Sequence, residues 1–140
     1  MQLHLAIAVA AVFVQVGLTF WAIYQMGRAR ISEIQATKPD MAQAAIGQYG
    51  NSTQVKLYEN NAHNQFETPP LLYAGVALAA ALGASNWGVA IGAATYAALR
   101  LVHRQIHVGS NRIATRFMVY TYGFAALIVL WLSLAVGLFL

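Results

Sequence analysis

The sequence contains no cysteine among its 140 residues. That excludes disulfides, iron–sulfur clusters, covalent c-type haem and any thiol nucleophile supplied by the protein itself. Charge is almost as scarce: Asp, Glu, Lys and Arg make up 9% of the chain, against ~25% in a typical soluble domain. The acids are Glu33, Asp40, Glu59 and Glu67, all between Gly27 and Thr68. Apolar residues dominate instead, at 59%. A soluble domain of this size must turn a large share of its residues to water and cannot hide that much apolar surface. Disordered chains have the opposite composition. The balance implies an integral membrane protein.

The apolar residues fall into four runs, expected as membrane spans at about 3–26, 68–85, 87–103 and 117–140. A spanning helix needs ~20 predominantly apolar residues. Leu3 to Met26 carries no formal charge apart from any on His4. It lacks the positive n-region of a secretory signal, and its apolar part is too long for one, so it reads as a retained helix. The second run, Pro70 to Ser85, is short, and its helix is expected to begin upstream within the polar segment. Asn86 and Trp87 form a tight connection with an interfacial aromatic. The fold class expected is an all-α integral membrane bundle of four transmembrane helices, occupying 1–140 as one domain. Small residues recur at helical spacing, Gly75, Ala79 and Gly83 in the second run and Gly88 and Gly92 in the third, as close helix packing requires.

Basic residues set the orientation. The first connection, 27–66, holds Arg28, Arg30, Lys38 and Lys56; the third, counted from Arg100 at the end of its span, holds Arg100, Arg104, Arg112 and Arg116; the second holds none. The positive-inside rule places the connections 27–66 and 104–116 in the cytoplasm and both termini on the opposite side. Asn51-Ser52-Thr53 fits a glycosylation sequon, but in a cytoplasmic connection it is expected to go unused.

The polar residues gather at the cytoplasmic ends of the spans. Before the second span the chain reads Asn60-Asn61-Ala62-His63-Asn64-Gln65-Phe66-Glu67-Thr68-Pro69-Pro70. If helical, this run sets Asn64 and Glu67 on one face. Arg100, His103 and His107 share a stripe on the third span, with Arg104 pointing elsewhere. Arg112, Arg116 and Tyr120 form another stripe opening the fourth. Converging spans bring Asn64, Glu67, Arg100, His103, His107, Arg116 and Tyr120 around one cationic cleft, which Arg28 of the first span can join. Such a cleft suits an anionic ligand bearing an amine. Taken singly, each arginine also fits a snorkelling, positive-inside anchor. His103 and His107 have HxxxH spacing, yet zinc needs a third protein ligand and the nearby cations oppose a divalent ion, so no metal is expected. Haem would need His63 as its second ligand, because His103 and His107 lie on one helix.

Together, Asn64-x-x-Glu67 before span two, Arg100-x-x-His103-x-x-x-His107 at span three and Arg116-x-x-x-Tyr120 opening span four resemble the MAPEG family, the membrane-associated proteins in eicosanoid and glutathione metabolism. The resemblance implies a homotrimer of four-helix subunits that binds glutathione, as co-substrate, between neighbouring subunits near the cytoplasmic face. By the same resemblance Arg116 stabilises the glutathione thiolate, and Arg28, Asn64, Glu67, Arg100, His103, His107 and Tyr120 line the glutathione site. The second substrate would be a lipophilic small molecule, and no nucleic acid partner is expected. The chain departs from the family pattern in the run Asn60-Asn61-Ala62-His63, which lacks arginine. It also departs at His107, where tyrosine is common, at Phe117, where serine can stand, and in the pair Pro69-Pro70.

Two functions from different classes follow. One is a glutathione-dependent membrane transferase or peroxidase. The other is a non-catalytic MAPEG-like subunit that docks to a larger membrane complex or binds lipid through its cationic cleft. A transporter is disfavoured, because no charge lies at mid-membrane to mark an ion pathway.

Overall fold

The computed structural model describes residues 2–49 and 52–139. Asn51 of the sequon lies outside the described residues. Six helices follow one another in the described chain: α1 (Leu3–Thr37), α2 (Met41–Ala45), α3 (Thr53–His63), α4 (Pro69–Ala81), α5 (Trp87–Val108) and α6 (Ile113–Phe139).

α1 does not stop where the apolar run stops. It continues through Gly27 for 35 residues in all, a length of ~52 Å at 1.5 Å per residue, well beyond a ~30 Å hydrocarbon core. Its last turns are an ordinary solvated helix made of good helix formers, which hydropathy alone reads as loop. It ends where Lys38 turns left-handed (φ 44°), with the Lys38 N–H closing on the Ile34 carbonyl, and Pro39 follows, which cannot continue a helix.

The segment 27–66 is therefore largely helical. Ser52 caps α3 through a bond from the Val55 N–H, a usual helix-start device. The helix before span two is a separate element, not an upstream extension of α4. α3 stops at His63, residues 64–67 form turns, and α4 starts at Pro69. Pro69 and Pro70 lack the N–H groups that a continuous helix would need, and sit at the first positions of α4, where those donors are not missed.

α1 and α6 are long and apolar enough to cross a membrane, and α4 is a shorter apolar helix. α5 packs most extensively on α6 and next on α1. The core they share includes Leu72, Val76, Val89, Ala93, Tyr96, Ala97, Leu127, Leu130 and Leu134. The small face of α5 permits the close approach: an ideal Cβ on Gly92 would stand 2.8 Å from the Ala126 carbonyl oxygen and 2.9 Å from the Leu130 Cβ. The outward faces are as apolar as the core, with Phe13, Phe20, Phe124, Ile128, Leu132 and Val136 exposed, the surface a bilayer covers. At one end of the bundle the Asn86 side chain caps α5 through the Val89 N–H and donates to the Ser133 carbonyl at 2.8 Å, tying the α4–α5 connection to α6.

Candidate functional site

The site lies at the other end, where α5 and α6 are joined by a short turn and the 64–67 turn packs against them. Asn64, His103, Ile113, Arg116, Phe117 and Tyr120 line a cavity of about 200 Å³. Asn64 comes from the turn, His103 from α5 and the rest from the first turns of α6. One wall is polar and the other, Ile113 and Phe117, is exposed and apolar.

Arg116 is half-buried, and its Nη1 donates to the Asn111 side-chain oxygen at 2.7 Å. Asn111 adopts a left-handed conformation (φ 46°), one that asparagine tolerates better than most residues. Its amide oxygen is neutral, so this bond orients the guanidinium and leaves its charge uncancelled. The His103 ring stands 5.8 Å from that of Tyr120 and 5.6 Å from that of His107, the latter edge to face. His103 Nδ1 is buried and has no hydrogen-bond partner within the chain.

Asn64 and Glu67 meet as the sequence suggested, but across a turn and not along a helix. With the Asn64 amide nitrogen toward Glu67, it donates to both carboxylate oxygens at 3.1 and 3.2 Å, and its oxygen accepts from His107 Nδ1 at 3.3 Å. That orientation requires the His107 tautomer protonated at Nδ1. His107 lies in the last turn of α5, past the expected end of the third span at 103, and its pKa is pushed down to about 4, first by burial and then by the Arg116 and Arg100 charges. It is neutral at pH 7.

Arg100 stands behind the cavity. It is 3% exposed, and its Nη2 donates to the Asn64 carbonyl at 2.6 Å and to Gln65 Oε1 at 3.2 Å. Asn64, Arg116, His103 and Tyr120 thus converge on the cavity itself. Arg100 and His107 hold Asn64 from behind, and Glu67 is exposed at the rim. Arg28 is elsewhere within one chain: it lines a second cavity of about 340 Å³ with Gln25, Ala29, Ser32, Gln54 and Tyr58, its guanidinium 5.9 Å from the Tyr24 ring. His63 is exposed. Among the described residues, no three His, Asp or Glu side chains gather as a metal site would need.

Sequence reasoning passed over Gln15, Gln65 and Asn111, and gave Arg104 a direction but no partner. Gln15 and Gln65 are fully buried and bonded to one another. Arg104 points away from the cleft, as its place on the helix implied, but it is buried, bonds Gln25 and lies 5.8 Å from the Trp21 ring. Asn111 holds Arg116. An amide at the middle of the first apolar run was the one signal available for Gln15.

A family model described as MAPEG family matches residues 7–136. No curated protein matches the chain, and no solved structure does.

Proposed function

The chain belongs to the MAPEG family, and from that premise we propose that it is a glutathione-dependent membrane transferase or peroxidase acting on a lipophilic electrophile. The family is associated with glutathione, and the observation that carries the reading is the convergence of Arg116, Tyr120, His103 and Asn64 on one cavity, with the Arg116 charge oriented by a neutral amide. In this reading four spans cross the membrane at about 3–26, 68–85, 87–103 and 117–140. The connections 27–66 and 104–116 face the cytoplasm, and three copies assemble.

The cavity in one chain, about 200 Å³, falls short of the ~300–1,000 Å³ usual for small-molecule sites. That supports a site completed by a neighbouring copy, to which Arg28 and its cavity would contribute. The donor set fits a peptide with two carboxylates, an amine and a thiol: arginines and the Tyr120 hydroxyl for anions, and Glu67 for the amine.

A free thiol has a pKa near ~8.5, so a minority is ionised at pH 7. Lowering it by two units takes ~2.7 kcal/mol of preferential thiolate stabilisation. One guanidinium at ~4 Å and an effective dielectric of ~20 is worth ~4 kcal/mol, so Arg116 suffices. In conjugation the thiolate sulfur bonds the electrophilic carbon and the leaving group departs with its electron pair. With a hydroperoxide the thiolate attacks the terminal oxygen, the O–O bond breaks and the alcohol leaves after taking a proton, giving glutathione sulfenic acid; the thiol of a second glutathione then displaces its hydroxyl as water and closes the disulfide.

The test is glutathione conjugation to a lipophilic chloronitroarene, and reduction of a lipid hydroperoxide, by the detergent-purified protein. At pH 7 Arg116→Ala should lower the active reaction about 25-fold, as the thiolate fraction falls from roughly three-quarters at a pKa of ~6.5 to roughly 3% at ~8.5. Absence of both activities in the wild type would reject the enzyme reading. A second reading, a non-catalytic subunit docked to a larger membrane complex or to lipid, is favoured by the run Asn60-Asn61-Ala62-His63, which brings no arginine to the site. It is distinguished by co-purification of a partner or an anionic lipid with an inactive protein.

A further inference from the structure

Gln15 lies near the middle of the apolar stretch of α1, Leu3 to Met26, where an amide side chain is costly in a membrane unless it is bonded. It is 0% exposed. Its Nε2 donates to Gln65 Oε1 at 3.0 Å. Gln65 is 2% exposed and nearly saturated: Oε1 also accepts from Arg100 Nη2 at 3.2 Å, and Nε2 donates to the Asn61 carbonyl at 2.9 Å. Flipping the Gln65 amide would set its NH2 against two donors, so this amide has one orientation. The same Arg100 Nη2 reaches the Asn64 carbonyl at 2.6 Å, and Asn64 lines the cavity.

The bonds therefore run without a break from the membrane interior of α1, through the 64–67 turn, to Arg100 on α5 and back to the carbonyl of a cavity residue. Arg100 Nε and Nη1 are buried with no partner in the chain, so its Nη2 bonds are what fix it. Gln65 Oε1 is one of the two acceptors for that nitrogen, and Gln15 holds Gln65 Oε1 in place from below.

We propose that Gln15 is a positioning residue for the glutathione site, acting through Gln65 and Arg100 to fix the Asn64–Glu67 turn at the cavity. The proposal rests on the glutathione reading above. It differs from the simpler role of an amide that only glues two helices together. Glue would show as lost stability. A positioning residue shows as lost affinity that depends on Arg100.

The experiment is glutathione binding to the full chain in detergent by equilibrium dialysis, with the thermal midpoint measured on the same samples. Gln15→Leu should raise the Kd about tenfold, the equivalent of one hydrogen bond at ~1.4 kcal/mol, while the midpoint holds or rises because leucine suits a membrane interior. In an Arg100→Met background, which weakens binding itself, Gln15→Leu should add nothing. Gln15→Asn, too short to reach Gln65, serves if Gln15→Leu does not fold, and should give the same tenfold loss. A wild-type Kd in Gln15→Leu would overturn the positioning role while the glutathione reading stands. An equal loss in the Arg100→Met background would overturn the route through Arg100. No binding by the wild type would overturn both.

Discussion

The close contact of α5 with α6 sets the distance between His103 on one helix and Arg116 and Tyr120 on the other, and Gly92 sets that contact. A methyl group there would lie 2.8 Å from the Ala126 carbonyl oxygen and 2.9 Å from both Leu130 N and Leu130 Cβ. Carbon atoms rest at ~3.5–4.0 Å, so the helices must part by roughly 0.6 Å. The obstruction includes backbone, which cannot rotate aside. Overpacking of this kind costs ~1–3 kcal/mol, and the gain in helix propensity from glycine to alanine returns up to ~1. Gly92→Ala should therefore destabilise the protein by ~1–2 kcal/mol and lower the thermal midpoint in mild detergent by roughly 3–8 °C. Gly27→Ala is the control. Nothing lies within 4 Å of its added methyl, and it should be neutral or stabilising. Gly75→Ala should fall between them, since its methyl meets the Leu130 Cδ2 at 2.5 Å, the end of a side chain that can turn. Circular dichroism melts of the three variants in one detergent test the order. A Gly92→Ala protein as stable as Gly27→Ala would refute the close-packing argument.

Other consequences are as direct. Thr68→Val removes the partner of the Tyr96 hydroxyl, now bonded at 2.8 Å and 1% exposed; leaving that phenol unsatisfied should cost ~1–3 kcal/mol in a detergent melt, and Tyr96→Phe in the same background should restore most of it. Arg30 and Tyr49 both bond Glu59, with Arg30 Nε at 2.8 Å. Burial alone would raise the Glu59 pKa, but the bonds from Tyr49 and Arg30 and the Arg30 charge outweigh it and hold the carboxyl below its ordinary 4.5. The stability this clamp adds is thus complete above pH 4.5 and lost as pH falls through the lower folded value, an effect under ~1 kcal/mol for so exposed a pair. Glu59→Gln should flatten that acid limb in a pH series of melts. Burial and the Glu59 bond also raise the Tyr49 pKa above 10, so the same clamp should weaken as pH climbs past 10, and Tyr49→Phe should remove that alkaline limb.

The polar residues that meet at the candidate cavity, Asn64, His103, Arg116 and Tyr120, stood out in the sequence because polar groups in an apolar chain are conspicuous and a helical stripe fixes which residues share a face. Arg100, His103 and His107 share the buried face of α5 as their spacing required. Arg104, one position off that stripe, is buried against Gln25 and Trp21 instead. What stayed hidden was set by backbone that composition does not see. Hydropathy ends the first helix at Met26, but a helix needs no apolar residue to continue into water, and α1 runs to Thr37. Asn64 and Glu67 meet either in a helix or in a turn, and the two prolines decide for the turn. Buried amides such as Gln15 and Gln65 carry no charge and have no period; Gln15 could be flagged as an amide within an apolar run, but its partner Gln65 is seen only in three dimensions. Arg28, which the sequence grouped with the cleft, lines a separate cavity with Gln25, Ser32 and Tyr58, because a count of basic residues along the chain does not say which face of a long helix each one occupies.

The central claim is that Arg116 holds glutathione as a thiolate. Glutathione titrated into the detergent-purified protein, following thiolate absorbance in the ultraviolet with Arg116→Ala alongside, tests it without knowledge of the second substrate. The account predicts a saturable thiolate signal near pH 7 in the wild type and its loss in a folded Arg116→Ala protein. A wild type that gives neither thiolate absorbance nor heat of binding at millimolar glutathione would contradict it.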